Sequence, residues 1–288
     1  MIIWCIGIIL CFCNAGTFAA SYAYDYNPGN SDARPEDWAQ MDSPDNAQCG
    51  WANQSPIDLQ TQFVSIQSRA NSLSITNLRT MPENVVLTNV GHGAEISFEF
   101  ANNDNMVVTG GPLNDQFIVA QAQWHWGTAD CAGSEHMLNS QRYSAEVHIV
   151  TYNSKYASLG DAADKFDGLA VLGFLYELDD AAAPDFPSSV QGGLGGIPNA
   201  GDTTTVAPFA LINLFRTEFF DYIAYSGSLT TPPCYQTVQW MVSTKPLKIS
   251  SADLGALRSI NDVNGSPLLR NFRPCQNSYS RALNGYYL

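Results

Sequence analysis

Apolar and polar positions alternate with period two along several stretches of the chain, which predicts strands. The clearest are 95–100, 117–126, 143–152, 169–178 and 237–243, all rich in Val, Ile and aromatic residues. Within 121–126 the side chains of Gln121, Gln123 and His125 fall on one face, and Ala122, Trp124 and Trp126 on the other. Within 143–150, Glu146, His148 and Val150 share a face. Helical periodicity is sparse. Ser251 reads as the cap of a short helix carrying Leu254, Leu257 and Ile260 on one side, and 158–166 as a second short helix. The stretch 179–208 is rich in Gly, Pro, Ala and Ser and predicts a long surface loop. The run from Gly192 to Gly196 argues against a stable helix within it. With no repeat and no linker-like break, the pattern predicts one mainly β domain over 24–288.

The first residues follow a different pattern. Residues 1–20 carry no charged side chain, and the apolar run 2–13 is followed by Ala15, Gly16, Ala19 and Ala20. This reads as a secretory signal peptide over 1–20, cleaved near 19–23; the rival reading is an uncleaved membrane anchor. No later segment is long and apolar enough to span a bilayer, so removal of the signal leaves a secreted, extracellular protein with no membrane span. Secretion makes Cys49, Cys131, Cys234 and Cys275 disulfide candidates, and the absence of a Cys-x-x-Cys pair argues against a zinc ribbon or a thioredoxin-like site. Cys5, Cys11 and Cys13 fall in the leader. Asn53 and Asn264 open formal glycosylation triplets, each followed directly by Pro.

Composition narrows the partners. Of 288 residues, 45% are hydrophobic, which supplies a sizeable core. Only 14% are charged, and 13 basic against 27 acidic residues leave a net charge of -14. Without a Lys or Arg run to displace phosphate counterions, nucleic acid is excluded as a partner. The acidic balance admits soft association with cations such as calcium.

The candidate chemistry rests on four histidines: His92, His125, His136 and His148. A polar face on an inner strand is costly to bury unless its groups bond to something. Two readings satisfy His125 and His148: hydrogen-bonded core histidines, or ligands of a metal with supporting partners behind them.

The segments around these residues resemble the α-class carbonic anhydrases. The resemblance rests on Gln54-Ser-Pro-Ile57, Gln121 to Gly127, Gly133-Ser-Glu-His136, Glu146-Val-His148, Leu169-Ala-Val-Leu-Gly173, the run Tyr225 to Pro233, Trp240 and Asn271-Phe-Arg-Pro274. They occur in the family's order over about 24–273. The resemblance implies a large, twisted, mostly antiparallel sheet with short peripheral helices and a zinc site at the base of a conical cleft. The family holds zinc with three histidines, two at i and i+2 of one strand and the third on its neighbour. Three neutral ligands leave a fourth position for water, whose pKa falls to about 7, giving the hydroxide that attacks carbon dioxide. His125 and His148 match two ligand positions; Gln123 stands at the third. An amide oxygen is a weaker donor to zinc than imidazole, so the resemblance implies weakened metal binding and attenuated turnover.

Other matches follow residue by residue. Thr230 matches the hydroxyl that accepts the hydroxide proton, and Glu135 the carboxylate that takes the proton of Thr230. Gln121 and Glu146 match groups that orient the ligands. His92 matches the proton shuttle, and Tyr26 a tyrosine of the associated water network. Val150, Val171, Leu229, Val238 and Trp240, with Thr231, match the substrate pocket. His136 matches a structural position, not a ligand. Cys49 and Cys234 match the disulfide of the secreted members, whereas Cys131 and Cys275 have no assigned role. Two functions remain in view. One is a secreted carbonic anhydrase interconverting carbon dioxide and bicarbonate with a His-His-Gln zinc site. The other is a non-catalytic relative acting as a binding or extracellular matrix protein, with calcium or mineral as its partner.

Overall fold

The alternating runs form the strands of one large twisted sheet. The computed structural model describes Tyr26 and residues 34–40, 48–68, 72–101, 104–215 and 221–287. The predicted signal peptide over 1–20, with Cys5, Cys11 and Cys13, lies outside them. Among the described residues the strands are β1 (Asp58–Leu59), β2 (Val64–Ile66), β3 (Ser74–Thr76), β4 (Asn84–Asn89), β5 (Ala94–Glu99), β6 (Val107–Thr109), β7 (Phe117–Trp126) and β8 (Met137–Leu138). They continue with β9 (Ala145–Asn153), β10 (Leu169–Leu178), β11 (Thr203–Val206), β12 (Tyr222–Gly227), β13 (Val238–Ser243), β14 (Leu247–Ile249) and β15 (Leu283–Tyr286). Four short α-helices lie between them: α1 (Leu159–Ala162), α2 (Ser188–Gly193), α3 (Ile212–Phe215) and α4 (Ser251–Leu257).

Across the main sheet the order is β11-β4-β5-β7-β9-β10-β13-β12-β15-β2. Most neighbours are antiparallel, as expected; β10 runs parallel to β13 and β14, and β15 parallel to β2. The central strands β7, β9 and β10 are buried on both faces, and each face has its own cluster. The larger holds Ala122, Trp124, Trp126, Val147, Ile149, Leu172 and Phe174. The smaller holds Val150, Val171, Val238 and Trp240, on the face that also carries His125 and His148.

Strand β7 changes phase along its length. Its pairing with β9 shifts register between Val119 and Gln121, so Ala120 is an extra residue, a β-bulge. Phe117 and Val119, before the bulge, point into the larger cluster. After it Ala122, Trp124 and Trp126 do so, and the odd positions Gln121, Gln123 and His125 are turned to the opposite face.

The helices depart from the sequence expectation in two places. Helix α4 is capped by Ser250, one residue earlier than Ser251: its side chain accepts from the Asp253 amide while Asp253 bonds back to the Ser250 amide. The 179–208 segment is not loop throughout, since α2, a following 3-10 turn and β11 lie within it. Phe186, Val190, Leu194 and Ile197 of this segment are fully buried, so tertiary packing overrides the low helix propensity of the glycines. Gly193 is required by proximity: a Cβ there would lie 2.5 Å from Val206 Cγ1.

Cys49 and Cys234 form a disulfide across a sequence separation of 185, whereas Cys131 and Cys275 carry free thiols. Among the described residues no helix is long and apolar enough to cross a membrane. Closing so long a loop restricts the unfolded chain, so Cys49→Ser is expected to cost about 2–5 kcal/mol of stability, read as a lower denaturant midpoint.

Candidate metal centre

Strand register brings the polar face together. Across β7 and β9, Gln123 is opposite His148, His125 is opposite Glu146 and Gln121 is opposite Val150. The His125 and His148 rings lie 4.5 Å apart between centroids. Both are buried, and each has one nitrogen occupied by a partner outside the cleft.

The Nδ1 of His125 donates to the Asn271 carbonyl oxygen at 2.8 Å. A carbonyl can only accept, so the proton sits on Nδ1 and Nε2 keeps its lone pair. That Nε2 is buried with no hydrogen-bond partner. For His148, Nε2 donates to Glu146 Oε1 at 2.8 Å, which leaves the lone pair on Nδ1, 3.9 Å from Glu135 Oε2. Burial pushes the His125 imidazole below its ordinary pKa, with the Glu135 carboxylate opposing, so the neutral form is favoured.

Glu146 anchors this arrangement. Burial alone would raise its pKa, but His136 and His148 beside it hold its carboxyl well below the usual carboxylate range. Its Oε2 accepts from the backbone N–H groups of Glu135 and His136 at 2.9 and 2.8 Å, and its Oε1 from His136 Nδ1 at 2.7 Å as well as from His148. His136 is thereby tied to Glu146, and its other nitrogen meets the Tyr225 hydroxyl at 2.6 Å. Strand β10 leaves room behind: a Cβ on Gly173, which pairs with His148, would lie 3.2 Å from Glu146 Oε1.

Glu135 completes the cluster. Its Oε1 accepts from the Arg273 amide at 2.7 Å, and its Oε2 is buried without a partner. Ligand atoms of His125, Glu135 and His148 lie within 4.8 Å of one another, a spacing a metal ion could bridge. Two buried imidazoles with fixed tautomers and free lone pairs suit zinc.

The other expected residues surround this point. Thr230 is buried in the loop after β12, and among the described hydrogen bonds none joins it to Glu135. That loop is anchored by Gln54 Nε2 donating to the Cys234 carbonyl at 3.1 Å, by Trp240 Nε1 donating to the Ser228 carbonyl at 3.0 Å, and by the disulfide. Val150, Val171, Val238 and Trp240 form one apolar cluster with Leu229 packed against it; Thr231 follows Thr230 at half-burial. His92 occupies the turn between β4 and β5, half-buried, with its ring 6.4 Å from that of the buried Tyr26. Gln123 is half-buried, and among the described residues no hydrogen bond holds its carboxamide.

The family description of eukaryotic-type carbonic anhydrase matches residues 33–286. The chain belongs to the eukaryotic-type carbonic anhydrases. It is 36% identical over 230 residues to carbonic anhydrase 1 of Monodelphis domestica, covering 78% of this chain and 83% of that protein. It is 34% identical over 265 residues to carbonic anhydrase 1 of Mus musculus, covering 89% and 95%. Membership supports carbon dioxide hydration as the general activity and zinc as the general cofactor.

Two features of the site lie beyond the sequence reading. The Asn271 carbonyl is a backbone atom, which no side-chain pattern announces. Glu95 on β5 is directly opposite Gln123 and only 6% exposed, and its carboxylate accepts a hydrogen bond from Gln121 Nε2. A carboxylate on the polar face of an inner strand was the available signal. Burial pushes Glu95 up to about 8. Its folded pKa therefore exceeds the unfolded value of 4.5, so its contribution is full below about pH 4.5 and is lost as pH rises through 8. The metal-free protein is expected to lose on the order of a few kcal/mol between pH 5 and 9, and Glu95→Gln to flatten that slope in denaturant titrations.

Proposed function

We propose that this chain is a secreted carbonic anhydrase that interconverts carbon dioxide and bicarbonate, with His125, His148 and Gln123 as the residues that would hold zinc. The observation that carries this reading is the pair of imidazoles whose outer nitrogens are engaged by Asn271 and Glu146, leaving the His125 Nε2 and His148 Nδ1 lone pairs free. Zinc bound there would supply a Lewis acid that makes water nucleophilic at neutral pH.

The remaining steps belong to the protein. Glu146 and Asn271 each engage one imidazole nitrogen, which fixes the turn of the ring and leaves the other nitrogen facing the cleft. The Thr230 hydroxyl would accept a hydrogen bond from the attacking water and turn its own proton to Glu135, whose Oε2 is buried without a partner and open to such a bond. Val150, Val171, Leu229, Val238 and Trp240 supply an apolar wall for carbon dioxide, which has no proton to donate, and Thr231 a polar rim beside it. His92, near Tyr26 in the turn after β4, passes the released proton to solvent. Gln123 sets the level of activity: its amide oxygen binds zinc more weakly than an imidazole would. The disulfide and the predicted signal peptide over 1–20 support an extracellular compartment.

Gln123 also motivates the second reading, a non-catalytic binding or matrix protein in which the net charge of -14 attracts calcium or mineral. Zinc content and carbon dioxide hydration separate the two. The enzyme reading expects zinc to bind the native protein about 10–100-fold more weakly than Gln123→His, with hydration raised in that variant and abolished in His148→Ala. A native protein that neither binds zinc nor hydrates carbon dioxide, alongside an active Gln123→His, overturns it. His92→Ala is expected to lower turnover by roughly 10²-fold, with recovery in concentrated imidazole buffer.

A further inference from the structure

We propose that Glu95 is a positioning residue: it fixes the direction of two successive glutamine amides, so that Gln123 turns its carbonyl oxygen toward the metal. This rests on Gln123 acting as a ligand.

The argument begins with register. Glu95 and His148 stand opposite Gln123 on its two neighbouring strands, which makes a three-strand row of Glu95, Gln123 and His148. Glu95 shares the cleft face, because its neighbours Ala94 and Ile96 point into the larger cluster. It belongs to neither close group of ligand atoms, His125 with Glu135 and His148 or His136 with Glu146 and His148. What Glu95 holds is Gln121, whose Nε2 donates to it.

An amide has a donor end and an acceptor end. With Nε2 committed to Glu95, the Oε1 of Gln121 faces the other way. Gln123 lies two residues along the same face, at roughly 7 Å by strand geometry, within reach of two glutamine side chains. No hydrogen bond joins the two amides among the described residues; with a cation on the Gln123 oxygen, the acceptor end of Gln121 is the one that suits the Gln123 NH2. Reversal of Gln121 would select the oxygen of Gln123 and leave its NH2 facing a dication, which repels it. A carboxylate buried without a basic side chain bonded to it is costly, and a dication two amides away offsets part of that cost.

The test is a double-variant cycle on zinc affinity, measured by competition with a chelator on the full-length protein, with thermal melts of the metal-free forms alongside. Glu95→Gln keeps the shape but can present either end to Gln121. It is expected to weaken zinc binding about 10–100-fold without lowering the metal-free melting temperature. Gln123→Leu, or Gln123→Ala if leucine prevents folding, is expected to weaken binding as well, and the double variant to be no weaker than Gln123→Leu alone. Unchanged affinity in Gln123→Leu removes the ligand reading and this proposal with it. A loss in Gln123→Leu with none in Glu95→Gln removes this proposal alone. Additive losses mean that Glu95 acts on the metal directly and not through Gln123, and overturn it too. A lower metal-free melting temperature with unchanged affinity assigns Glu95 a structural role and overturns it equally.

Discussion

A carboxylate sealed inside a sheet must have its oxygens satisfied, and Glu146 meets that demand with four donors at once. Two are backbone amides from the Glu135–His136 turn and two are imidazoles, one from that turn and one from the same strand. The bonds hold turn, strand and both rings in a single arrangement. Removing any donor would strand buried charge, so the cost of disorder here is high. The tautomer of His148 follows directly, and so does the placement of Glu135, which is one residue from His136.

Around this anchor the site is built from rigid elements. The ligand candidates stand on β7 and β9, in the middle of the sheet and buried on both faces, and Asn271 and Arg273 come from one extended segment that crosses behind them. The Thr230 loop has less regular structure and is correspondingly tied down: by the disulfide, by Gln54, and by Arg273, whose guanidinium donates to the Gln54 side chain at 2.7 Å and to the Cys49 carbonyl at 2.9 Å. A scaffold of this kind holds the rest of its polar face in place without a hydrogen bond to the Gln123 carboxamide.

Much of this was legible in the sequence, for identifiable reasons. The limits of β7 and β10 were readable because β-branched and aromatic residues mark them, and the shared face of Glu146, His148 and Val150 because alternation is a local property. The 179–208 segment was misread because its helix depends on Phe186, Val190, Leu194 and Ile197 finding a pocket, which local propensity does not encode. Glu95 escaped notice because its meaning lies in being opposite Gln123, and register between β5 and β7 is a long-range fact. The Asn271 carbonyl escaped for a simpler reason: every residue has one.

The extra residue at Ala120 works like a shift of reading frame in three dimensions. Upstream, odd-numbered side chains of β7 belong to the oily interior; downstream, the same parity belongs to the polar cleft that holds His125 and His148. One deletion at that point would restore a uniform pleat, and whichever half kept its place would carry the other half in backwards, with two glutamines and a histidine exchanged for an alanine and two tryptophans. The polar cleft face is therefore separated from the core by the insertion of a single small amino acid, and lineages of such proteins can be expected to tolerate changes of residue type there more readily than changes of length.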